Sequence, residues 1–160
     1  MQIYLLRHGI AEDARSGQSD AGRALTAEGK DKLRRVLRRA GGAGVRPASI
    51  LSSPLRRALE TAAVAAEVLE YAGKIAESRA LLPEASPYDL WEEIRRRGEE
   101  PSVLLASHEP LMSAMAAFLL GCPALQVDMK KAALVRIDCD RLASEPKGVL
   151  KWMLTPAVCE

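Results

Sequence analysis

The chain has only two histidines, His8 and His108, and each comes just after a short apolar run. Gln2-Ile3-Tyr4-Leu5-Leu6 leads into Arg7-His8-Gly9, and Ser102-Val103-Leu104-Leu105-Ala106 leads into Ser107-His108-Glu109-Pro110. A third apolar run, Ala48 to Ser52, ends in Ser53-Pro54 with Arg56 and Arg57 just beyond. Imidazole and guanidinium together suit one kind of chemistry. A phosphoryl group brings about two negative charges and three acceptor oxygens. Arginine meets these with a permanent charge on a planar fork. An uncharged imidazole nitrogen is a competent nucleophile toward phosphorus when a hydrogen bond holds the other nitrogen. One histidine after a strand is usually structural. Two that reach the same edge of one sheet, with arginines beside them, point to a site.

The rest of the chain supplies elements that can bring these residues together. The three apolar runs read as buried strands. The polar segment from Ile10 to Ala24 reads as a loop. Thr26 is a good N-cap for a helix whose apolar face is Leu33, Val36, Leu37 and Ala40 and which Gly41-Gly42 stops. Ser53 as N-cap and Pro54 at the first helical position predict a second helix running to about Tyr71. A weak strand is expected around Lys74 to Glu77, then a proline-containing loop from Leu81 to Ser86 and a helix from Pro87 to Arg97. Leu111 to Leu120 is an apolar helix closed by Gly121. Ala132 to Cys139 and Val149 to Leu154 read as two further strands joined by a turn. Strands alternating with helices predict an α/β three-layer sandwich, with a mostly parallel central sheet flanked by helices. The closeness of the last two strands predicts an antiparallel edge hairpin near the C-terminus. In such open sheets ligands sit outside the carboxyl ends of the strands, where both histidines lie.

Composition narrows the function classes. The sequence has 160 residues, 48% hydrophobic and 28% charged, which reads as one globular domain over residues 1–160. A formal net charge of +2 gives no strong global pull toward nucleic acid or membrane, so the electrostatics of any substrate must be local. One Phe, two Trp and three Tyr are too few for a platform that stacks single-stranded nucleic acid. Cys122, Cys139 and Cys159 show neither metal-ligand spacing nor a disulfide framework and read as free thiols in a reducing compartment. No segment approaches the ~20 apolar residues of a transmembrane helix. A cytoplasmic protein is expected.

Arg7-His8-Gly9, the run Ser53-Pro54-Leu55-Arg56-Arg57-Ala58-Leu59-Glu60-Thr61-Ala62, and Ser107-His108 together resemble the histidine phosphatase superfamily, with its phosphoglycerate-mutase-like fold. The short length, the Arg-His-Gly-x-Ala-Glu opening and Arg23-Ala24-Leu25-Thr26-Ala27-Glu28-Gly29 look like its SixA-type phosphohistidine phosphatase branch. The resemblance spans Gln2 to about Leu154. It implies that His8 is the nucleophile that becomes phosphorylated and that Arg7 binds phosphate beside it. It selects Arg57, directly before Ala58, as the second phosphate-binding arginine. It makes His108 the second pocket histidine, donating hydrogen bonds to phosphoryl oxygens. Residue chemistry agrees: Arg7, Arg57 and a protonated His108 would neutralise the transferring group. Water would then hydrolyse the phosphohistidine, with no metal or other cofactor required.

Several charged residues have plainer roles. Arg56 points about 100° away from Arg57 on a helix, which suits a rim residue. Arg34, Arg35, Arg38 and Arg39, and likewise Arg95-Arg96-Arg97, read as solvated faces. Many superfamily members protonate the leaving alcohol with a carboxylic acid, and Glu84 and Glu109 are the two candidates. Glu109 also suits the first turn of a helix, and Glu84 an ordinary loop. The demand for an acid depends on the leaving group. Alkoxide is strongly basic, whereas imidazole has a conjugate-acid pKa of about 6.5. The compact chain also lacks the long insertions that could cover a small metabolite. Both points favour a phosphoprotein or another exposed phosphoryl group, and phosphohistidine in a signalling protein is the leading reading. A phosphomonoesterase for small phosphorylated metabolites is the first alternative, and a phosphoryl-binding module without catalysis the second.

Overall fold

A computed structural model describes residues 1–160. Six strands, β1 (Gln2–Arg7), β2 (Ser49–Ser52), β3 (Ala76–Glu77), β4 (Ser102–Ser107), β5 (Leu134–Asp138) and β6 (Val149–Leu154), form one sheet in the order β3-β2-β4-β1-β5-β6. The first four are parallel to one another, and β5 and β6 pair antiparallel at one edge. Four helices cover the sheet: α1 (Ala27–Gly42), α2 (Arg56–Val68), α3 (Pro87–Arg95) and α4 (Leu111–Leu119). This is the α/β sandwich with an edge hairpin that the pattern of runs predicts.

Alternation along the central strands divides the core in two. Ile3, Leu5, Val103 and Leu105 pack with Leu90, Trp91 and Ile94 of α3 and with Met112, Met115 and Leu119 of α4. Tyr4, Leu6 and Leu104 face the other way, onto Leu33, Val36 and Leu37 of α1 and Ala62 and Ala65 of α2. Burial on both faces explains why β1 and β4 read as continuous apolar runs rather than as alternating ones.

The helix starts show where local signals held and where tertiary contacts overrode them. Thr26 caps α1, its hydroxyl accepting from the Gly29 amide at 2.9 Å. Ser53, by contrast, is not the cap of α2: the helix starts at Arg56 with Leu55 at the cap. The Ser53 hydroxyl lies 2.8 Å from His108 Nε2 instead. α2 also ends at Val68 rather than near Tyr71, because Glu70 turns the chain with φ 57°. α3 stops at Arg95, two residues before the expected Arg97. Gly121 closes the turn after α4 with φ 63°.

Candidate active site

Three neighbouring parallel strands, β2, β4 and β1, all point their carboxyl ends at one edge of the sheet. The chain leaving each is tied to the next. The His8 amide donates to the Ser107 carbonyl at 2.9 Å, and the Ser53 amide to the Ala106 carbonyl at 3.0 Å. His8, Ser53 and His108 therefore stand side by side by the logic of the sheet alone. The ring centroids of His8 and His108 are 5.1 Å apart.

Each imidazole is oriented by a hydrogen bond. His8 Nδ1 is 2.7 Å from the Gly9 carbonyl oxygen. A carbonyl can only accept, so Nδ1 carries the proton and Nε2 keeps its lone pair. The Gly9 amide donates to Thr61 Oγ1 at 3.2 Å, and that hydroxyl donates to the Arg57 carbonyl at 2.7 Å. A side chain at Gly9 would put its Cβ 2.7 Å from Leu33 Cδ1, so the absence of one lets the loop lie against α1.

For His108, the partner is Ser53. The Ser53 hydroxyl accepts from the Leu55 amide at 3.3 Å, and His108 Nε2, 2.8 Å away, is the one acceptor its own proton can reach. His108 is then protonated on Nδ1, and that nitrogen is buried without a partner. Arg7 Nε and Arg57 Nε are likewise buried and unpartnered. An unmatched buried donor costs about 1–3 kcal/mol, so three in one site is a strained arrangement unless an acceptor is brought to it. Arg7 is steadied by Nη1 donating to the Met129 carbonyl at 2.7 Å. Arg57, 4% exposed, spends its Nη atoms on Asp20, at 3.1 Å to the carbonyl and 3.2 Å to the carboxylate.

Burial lowers the pKa of His8 to about 4, opposed by the Gly9 carbonyl and reinforced by the Arg57, Arg7 and Lys131 charges. His108 is lowered to about 3 by burial, then by His8 and Arg57. Both imidazoles are thus neutral at pH 7. A phosphoryl group brought against His108 would favour its charged form, so the expected protonation belongs to the loaded site, and either form presents Nδ1–H to the pocket.

The other candidates make no hydrogen bond to either imidazole or to Arg7 and Arg57. Glu109 Oε1 accepts from the Ser113 amide at 2.7 Å and caps the first turn of α4. Glu84 is exposed beyond the short turn Arg79–Leu81, whose Leu81 carbonyl accepts from Ser107 Oγ at 2.6 Å. Arg56 is a rim residue, its Nε 3.4 Å from Glu60. Arg34 and Arg35 pair with Asp31 and Glu160, Arg95 with Glu92 and Arg97 with Glu100. Sequence reasoning missed Ser53 as the partner of His108, Thr61 as the link to Gly9, and Asp20 as the carboxylate on Arg57. Thr61 carried one usable signal, its position four residues after Arg57 on the same helix face.

No helix is long and apolar enough to cross a membrane. A protein of Picosynechococcus sp. is 29% identical over 164 residues, covering 96% of this chain and 99% of its own length. The structure of the protein histidine phosphatase SixA complexed with tungstate matches with a TM-score of 0.89 at 26% identity, over 100% of both chains. The putative phosphohistidine phosphatase SixA from Agrobacterium tumefaciens matches at 0.84 and 25% identity, over 97% of both chains. Mycobacterial glucosyl-3-phosphoglycerate phosphatase shares the fold at 0.68 and 20% identity, over 94% of this chain and 96% of its own. The sequence model of the histidine phosphatase superfamily (branch 1) matches residues 3–82, a span that holds Arg7, His8 and Arg57, and the chain belongs to that superfamily.

Proposed function

We propose that this phosphatase acts without a metal, through a phosphohistidine formed on His8, and that its substrate is phosphohistidine in a signalling protein. The observation that carries the reading is the set of buried, unpartnered donors on Arg7, Arg57 and His108 beside an imidazole whose Nε2 lone pair is free. A tetrahedral oxyanion is the ligand such donors would satisfy. Tungstate, bound by the structural neighbour, is one.

In the first step the His8 Nε2 lone pair attacks phosphorus, and the phosphorus–nitrogen bond to the substrate imidazole breaks. The transition state is loose, with charge spread over the equatorial oxygens. Arg7 and Arg57 neutralise that charge, and His108 Nδ1–H donates to it. A substrate ring protonated on its distal nitrogen leaves as neutral imidazole, a weak base that needs little help from an acid such as Glu84 or Glu109. Water then attacks phosphorus, the bond to His8 breaks and inorganic phosphate leaves. The likeness to the SixA structures supports phosphohistidine over other phosphoryl donors.

The test compares a phosphohistidine-bearing protein, an aryl phosphate and common sugar phosphates at matched enzyme concentration. The protein should have the highest kcat/KM. A large preference for sugar phosphates would replace it with a metabolite phosphatase. His8→Ala should lower turnover of every accepted substrate at least about a thousandfold. Brief exposure of the wild type should leave acid-labile phosphate on His8, and retained activity in the variant removes the nucleophile assignment.

A further inference from the structure

A cleft of about 620 Å³ opens beside Arg7, lined by Lys32, Lys130, Lys131, Thr155 and Glu160 among others. Glu160, the one acid of the lining, lies 3.7 Å from Arg35 on α1. Lys32 and Lys130 pair with Glu28 and Asp128, at 2.8 Å and 2.9 Å, but those carboxylates are 66% and 77% exposed. Such pairs contribute little and exchange readily. Lys131 is exposed, has no carboxylate within ion-pair distance, and its charge reaches His8.

The lysines are anchored to the reacting residues. The Met129 carbonyl accepts from Arg7 Nη1, and the Ala132 amide donates to the His8 carbonyl at 3.1 Å. Lys130 and Lys131 lie between these two bonds. Ala132 completes the turn in the left-handed region, with φ 64°, a conformation that costs about 1–2 kcal/mol for alanine. The turn that carries the two lysines is thus tied by its backbone to Arg7 at one end and to His8 at the other.

We propose that this cleft is a docking subsite for acidic residues flanking the phosphorylated histidine of a protein substrate, an inference that rests on the phosphohistidine reading above. The lysines are compact point charges on flexible, hydrated stems, unlike the buried forks of Arg7 and Arg57. Those stems suit carboxylates that approach along a surface at variable positions. One site thus divides its cations: guanidinium for the phosphoryl group, ammonium for the surface that carries it.

The experiment uses two phosphohistidine peptides of equal length, one with Glu and Asp flanks and one with Ser and Ala flanks. Wild type should favour the acidic peptide about threefold to tenfold in kcat/KM at low ionic strength, the range a few exposed pairs supply. The preference should shrink as salt shortens the screening length to about 8 Å and below. Lys130→Ala combined with Lys131→Ala should bring the ratio of the two peptides toward one. Lys131→Glu should turn the preference toward a peptide with Lys flanks. The ratio decides, so a loss common to all substrates does not affect it. Equal turnover of both peptides by wild type, or a preference that survives the substitutions, overturns the subsite. If neither peptide is hydrolysed but an aryl phosphate is, the phosphohistidine reading fails instead. The subsite is then judged by unphosphorylated peptides as inhibitors of aryl phosphate hydrolysis, and equal inhibition by acidic and neutral peptides overturns it.

Discussion

Ser53 shows how much of the site depends on one proton. Its hydroxyl receives the Leu55 amide and passes its own hydrogen to His108 Nε2. This selects the tautomer with a donor on Nδ1. Ser53→Ala removes that selection and leaves a buried nitrogen without a partner. We expect kcat to fall about tenfold, the scale of a weakened charge-stabilising donor, with KM changing much less. Ser53→Thr keeps the hydroxyl and should recover most of the loss. A purely structural role would lower the melting temperature of the alanine variant without that split between kcat and KM. None of this was legible in the sequence, where Ser53 before Pro54 reads as a helix cap. The His8 side was legible, because apolar runs ending in Arg-His or Ser-His mark strand ends directly. Asp20 was not: it sits in a polar loop and meets Arg57 across 37 positions of sequence. No local pattern distinguishes it from the acids around it.

Elements were easier to read than contacts. Thr26, the apolar face of α1 and the β5–β6 hairpin all followed from local chemistry and periodicity. The boundaries of α2 did not, because Ser53 had a tertiary partner. How α1 supports the His8 loop is also a contact property. A Cβ on Gly29 would collide with the backbone of Ile10, so α1 and the loop after His8 touch through bare backbone. Gly29 is helical, and alanine there would gain local propensity, about 1 kcal/mol in isolation. The collision should outweigh this. Gly29→Ala is expected to destabilise the protein by about 1–3 kcal/mol, the cost of overpacking. It should also lower activity, as the loop carrying His8 is pushed outward. Chemical denaturation and a turnover assay on the same sample test both, and a stabilised variant would show that the loop yields freely.

At the scale of the whole molecule, the two depressed imidazoles link folding to pH. His8 and His108 are the only histidines, and their folded pKa values of about 4 and about 3 lie below the ordinary 6.5. The unfolded chain therefore binds more protons than the folded one between those values. Stability is fully present above pH 6.5 and falls as the pH drops through 6 and 5. Urea unfolding at pH 7 and pH 5 should show the loss, with both histidines contributing to the slope. His108→Gln should flatten it. An unchanged slope in that variant would mean that other groups carry the effect. Saturating phosphate should offset part of the loss, because an anion among these cations stabilises the folded state that binds it.

The position of β1 and β4 has a further consequence for how the molecule opens. These strands lie at the centre of the sheet and are covered on both faces. Their amides should exchange with deuterium only through global unfolding. The segments bearing Asp20 and Lys131 lie on the exposed periphery, and their amides should exchange by smaller, faster openings. His8, at the end of β1, would thus stay on the slowest clock in the protein, and the groups around it on a faster one. A partner could then be admitted and released many times over while the His8 ring held its place.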